Sequence, residues 1–125
     1  MHTIIFYHDR RGKSPLKDYM HELEVSKSKD SRINLNKIRE YVKALEVNGI
    51  DLPENYCKHL EGEIWELRPI RNRVLFAGWV KGSFVLLHSF LKNTQKTPRQ
   101  EIERAKRELA DFKERWYEDE QNERV

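Results

Sequence analysis

The sequence predicts an α+β domain in which a small antiparallel sheet is packed on one face by an N-terminal helical hairpin and a C-terminal helix. Three observations lead there. The hydrophobic period reads strand, helix, helix, three strands, helix along the chain. Ser14-Pro15 and Thr97-Pro98 each stand before an apolar helical stripe, the pattern of an N-cap followed by proline at the first helical position. Lys81-Gly82, between two apolar runs, is the two-residue signal of a tight hairpin.

Residues 2–8 read as a first strand, and Asp9 to Gly12 as a charged turn. Leu16, Tyr19, Met20 and Leu23 then recur at helical spacing. A polar break from Ser26 to Ser31 precedes a second helix, with Ile33, Ile38, Tyr41, Val42 and Leu45 on one stripe and Gly49 as its stop. After Pro53 the period becomes that of strands, over Glu63 to Arg68, Arg73 to Val80 and Phe84 to Leu91. Thr97, Pro98 and Gln100 form a capping-box start for a last helix that carries Ile102, Ala105, Leu109, Phe112 and Trp116 on one stripe. The polar run from about residue 118 to 125 is expected to fray.

A chain of 125 residues with 38% hydrophobic content supports one core and one domain, residues 1–125. The net charge of +3 is weakly basic and says little about partners. Its distribution is more telling. Between residues 58 and 99 stand eight basic residues (Lys58, Arg68, Arg71, Arg73, Lys81, Lys92, Lys96, Arg99) and three acidic ones (Glu61, Glu63, Glu66), a local excess of five. The lone Cys57 can form no internal disulfide and reads as a packing residue. No stretch reaches the ~18 apolar residues of a membrane span, and the first residues lack a basic leader, so a cytoplasmic protein without membrane contact is expected.

Strand alternation groups Phe84, Leu86, His88 and Phe90 on one face and Val85, Leu87, Ser89 and Leu91 on the other. A mixed face is therefore expected to collect Glu66, Arg68, His88 and Phe90, joined by Arg71, Arg73, Lys92 and Lys96. Such a concavity suits metal-independent RNA cleavage, in which a 2′-OH attacks the neighbouring phosphorus. Arg73 and Arg68 can clamp the phosphate, and Glu66 or His88 can take the proton. Lys92 or Lys96 can protonate or stabilise the leaving oxygen, while Phe90 can stack a base. Each residue has a structural alternative. Glu66 can neutralise Arg68 on the sheet, His88 can be a satisfied core histidine, and Phe90 can be core. His2, His8, His21, His59 and His88 show no ligand spacing, and no phosphate loop or nucleophile elbow appears, so no metal and no cofactor are expected.

In the segments Leu60 to Arg68, Asn72 to Phe76 and Leu87 to Pro98, the chain resembles the phage-derived, HigB-like branch of the RelE/ParE toxin superfamily. The resemblance rests on the Trp65-Glu66-Leu67-Arg68 strand, Arg73 opening the next, and the Phe90-x-Lys92-x-x-x-Lys96-Thr97-Pro98 link. It implies a RelE-like fold and a type II toxin-antitoxin toxin that cleaves mRNA on the ribosome. It also implies a helix-turn-helix antitoxin of the HigA kind as partner, with operator DNA contacted only through that complex. Arg73 matches the arginine that contacts the scissile phosphate, and Arg68, Lys92 and Lys96 match basic positions around it. Glu66 stands where RelE-like toxins carry a lysine. A ParE-like gyrase inhibitor without nuclease activity and a passive RNA-binding module are the alternatives. RNA is expected on the sheet face left open, with antitoxin contacts around or beside it.

Overall fold

A computed structural model describes residues 1–123, with side chains through Asp119. Its elements run β1 (Thr3–Phe6), α1 (Pro15–Val25), α2 (Lys29–Asn48), β2 (Cys57–Glu61), β3 (Ile64–Leu67), β4 (Asn72–Trp79), β5 (Ser83–Leu91) and α3 (Arg99–Glu123). Ser14 caps α1 by accepting from the Lys17 N–H, with Pro15 inside the first turn as expected. Ser28 caps α2 in the same way through Ser31, so the break between the helices is shorter than the serine run suggested. Gly49, at φ 62, ends α2 in the left-handed region where a side chain would be strained. Lys81 and Gly82 both have positive φ and Ser83 N–H returns to Val80 O, the tight hairpin that the pair predicted.

The sheet has five strands in the order β1-β5-β4-β3-β2. Two features depart from expectation. β2 is an additional strand, exposed at Lys58 and His59, and its polar sequence gave no strand signal at this sheet edge. β1 lies parallel to β5, with Thr3 opposite Ser83 and Phe6 opposite Leu86, so the sheet is mixed and not antiparallel throughout.

The helices do not share a face. Leu16 of α1 and Leu45 of α2 pack with Leu67, Val74, Phe76, Phe84 and Leu86, whereas Ala105 and Leu109 of α3 pack with Ile64, Leu75, Ala77, Val85 and Leu87. Since Val74 and Phe76 alternate with Leu75 and Ala77 along β4, the hairpin covers one face and α3 the other. No open face remains for RNA. At roughly 1.5–3 kcal/mol for each large aliphatic or aromatic side chain fully buried, these two clusters supply the main drive for folding.

A β-bulge explains the misassigned alternation. Leu75 pairs with His88 but Phe76 pairs with Leu86, which leaves Leu87 as the extra residue. Leu87 and His88 therefore both turn toward α3, and Phe84 and Leu86 lie on the opposite face from His88. α3 runs to Glu123, and residues 124 and 125 of the tail expected to fray lie outside the described residues. Among the described residues no helix is long and apolar enough to cross a membrane.

Candidate active site

With both faces covered, the basic residues emerge at one end of the sheet, where β4 begins and β5 ends. Pro69 to Asn72 form a turn closed by Asn72 N–H to Pro69 O at 3.0 Å. Ile70 takes φ 59, a conformation that costs a β-branched residue of order 1–3 kcal/mol, and its side chain is 47% exposed. Its carbonyl is put to use. Arg73 donates through Nη1 to Ile70 O at 3.0 Å and to Asn72 O at 2.8 Å.

Asn72 is fully buried, accepting from the Tyr19 hydroxyl at 2.7 Å and donating to Asn34 Oδ1 at 2.8 Å. The turn is thus fastened to both helices of the hairpin. On its other side Lys92 N–H donates to Arg71 O at 2.7 Å, drawing the segment after β5 alongside.

Between turn and segment lies an open cavity of about 430 Å³ lined by Ile70, Arg71, Arg73, Lys92, Asn93, Thr94 and Gln95. Arg71, Arg73 and Lys92 form no ion pair among the described residues, whereas Arg99, Arg104, Lys106, Lys113 and Arg115 along α3 are all paired with carboxylates. Unpaired cations around a concavity leave a positive field for an anionic ligand. Burial pushes Arg73 below its ordinary value, opposed by nearby Glu66 and reinforced by Arg68. A guanidinium keeps its charge even so.

The cavity gathers three of the residues that the sequence singled out, Arg71, Arg73 and Lys92. Arg68 is outside its lining, contacting Glu66 at 3.6 Å and Glu54 O at 3.3 Å. Glu66 is 3% exposed and accepts from the Thr97 hydroxyl at 2.7 Å, so both oxygens have partners. His88 is fully buried, with Nδ1 2.5 Å from Glu108 and Nε2 3.0 Å from Glu101. It fastens β5 to α3 and has no path to a substrate, which corrects the reading of His88 as a base. Phe90 is half-buried against the α3-side cluster, its ring 6.3 Å from that of His88, and so is a packing residue. Lys96 is exposed in the loop before α3 but does not line the cavity.

Sequence reasoning missed Asn72 and, in the cavity lining, Ile70, Asn93, Thr94 and Gln95. The available signal was Asn72 at the head of an apolar strand, where a buried amide demands partners.

A family model described as Phage derived protein Gp49-like (DUF891) matches residues 16–110, about three quarters of the chain, including every residue of the cavity. Among curated proteins no match is found. On the extent of that match, which runs from the first turn of α1 into α3, the chain belongs to the Gp49-like family of phage-derived proteins.

Proposed function

We propose that the protein is the toxin of a type II toxin-antitoxin system, an mRNA endoribonuclease that works on the ribosome. The observation that carries this reading is the convergence of Arg71, Arg73 and Lys92, unpaired among the described residues, on one open cavity inside the family-matched region. In the reaction a 2′-OH attacks the adjacent phosphorus, the P–O5′ bond breaks, and a 2′,3′-cyclic phosphate and a 5′-OH result. Arg73, pre-set by two carbonyls, stabilises charge on the phosphoryl oxygens. Arg71 holds the neighbouring backbone, and the Lys92 ammonium donates to the departing 5′ oxygen.

The cavity lining contains no carboxylate and no histidine. The proton of the 2′-OH therefore leaves to water or to a group of the ribosome, which fits a need for the ribosome as part of the working site. Glu66 and Arg68 hold the electrostatics beside Arg73 without touching RNA. A helix-turn-helix antitoxin restrains the protein and carries the operator DNA contacts.

Purified protein added to translating ribosomes in excess chelator is expected to cut mRNA, leaving 2′,3′-cyclic or 3′-phosphate ends, without affecting gyrase supercoiling. Products ending in 3′-OH, activity abolished by chelator, or inhibition of gyrase with intact mRNA would each overturn the reading.

A further inference from the structure

We propose that Asn72, held by Tyr19 and Asn34, is a positioning residue that sets the Arg73 guanidinium for catalysis, an inference that rests on the RNA-cleaving reading of the cavity. Asn72 touches no part of the cavity lining through its side chain, yet every polar group it has leads toward Arg73 or away to the hairpin. Its side-chain oxygen accepts from Tyr19 of α1 and its amide donates to Asn34 of α2. Its main-chain N–H closes the turn on Pro69, and its carbonyl takes the Arg73 Nη1 proton. The second acceptor of that same nitrogen is Ile70 O, presented by a residue held at φ 59.

One guanidinium nitrogen is thus gripped by two carbonyls of a turn that is itself anchored on two helices. The same turn offers Arg71 O to Lys92 N–H, so the spacing of the two cations depends on it as well. A backbone turn with one strained residue relaxes when its anchor is lost, and a displacement of about 1 Å at a reacting group can cost ~10²-fold in rate. Buried amides also serve as plain structural fillers. The difference lies in whether the effect passes through Arg73.

The test uses the full chain and the gentlest change, Tyr19→Phe, which keeps the ring and removes the donor to Asn72, with Asn34→Ala as the second variant. In an otherwise wild-type chain Tyr19→Phe is expected to lower ribosome-dependent cleavage roughly tenfold while the protein still melts cooperatively; in an Arg73→Lys background it should lower it by less than about twofold, the non-additivity of residues acting as a unit. The NMR signal of the Arg73 Nε–H should shift in both single variants. Equal losses in the two backgrounds, or full cleavage with an unmoved Arg73 signal, would show that Asn72 is structural only. If the wild-type chain cuts no mRNA, the toxin reading fails, and the Arg73 signal alone then decides whether the turn positions the guanidinium.

Discussion

Arg73 is asked to be both a cation for the cavity and a fastener of its own turn. At 6% exposure it is not a freely replaceable surface arginine. Arg73→Ala is expected to lower cleavage by ~10²–10³ and stability by about 1–3 kcal/mol, the range for losing hydrogen bonds from a charged donor. Arg71→Ala, at an exposed position, should weaken cleavage while changing stability by no more than about 0.5 kcal/mol. Parallel melting curves and cleavage rates check both, and an unaltered rate in Arg73→Ala would remove it from the mechanism. His88→Ala should do the reverse. It removes a buried ring hydrogen-bonded to Glu108 and Glu101 and is expected to lower stability by about 1–3 kcal/mol, yet cleavage per folded molecule should persist. Cys57 is 4% exposed and burial pushes its thiol up to about 11, so alkylation at pH 8 should be slow until the chain unfolds. These positions also show what a sequence discloses about single residues. The sequence placed Arg73 at the head of an apolar strand, where it does line the cavity, whereas the partners of His88 lie 13 and 20 positions away on a helix whose docking face had been misplaced.

Among the elements, α3 is held across the sheet edge by ion pairs that periodicity does not announce. Glu61, in the unpredicted β2, accepts from Arg99 at 2.5 Å and from Lys106, and Glu63 from Lys113 at 2.7 Å. The Arg99 and Lys106 hydrogen bonds hold the Glu61 carboxyl down at about 2 against an ordinary value of 4.5. A depressed carboxylate contributes stability above its unfolded value and loses it as pH falls toward the folded one. Between pH 4.5 and about 2 the melting temperature should therefore drop, and Glu61→Gln should flatten that drop while lowering the plateau above it. An identical pH slope in the variant would show that other carboxylates carry the acid sensitivity; Asp111, held low by Arg115 and by the Tyr7 hydroxyl, is the next to test. The helices were legible because their signals are local: an N-cap serine, a proline, a stripe. The bulge at Leu87 was not, since it is a relation between β4 and β5 and leaves no mark in the composition of either strand.

For the molecule as a whole, the order of elements apart from β2 was readable but their sidedness was not. With the hairpin on one face and α3 on the other, the expected open face is covered, the sheet is the middle layer of three, and the basic cavity lies at one end. The parallel pairing of β1 with β5 fixes an order in time. β1 is the first strand to leave the ribosome during synthesis, but its neighbour β5 is the last, with Thr3 waiting for Ser83. β2, β3 and β4 can pair through short connections as they emerge, while closing the long loop to β1 carries the larger entropic cost and comes late. In pulsed hydrogen exchange during refolding, the amides of Ile5 and Phe6 should gain protection after those of β3 and β4, and simultaneous protection would contradict this order. Lys92 to Gln95 follow β5 directly, so the cavity too is completed only after β5 has been made. A growing chain is thus without this cavity until the last of its five sheet strands has been made.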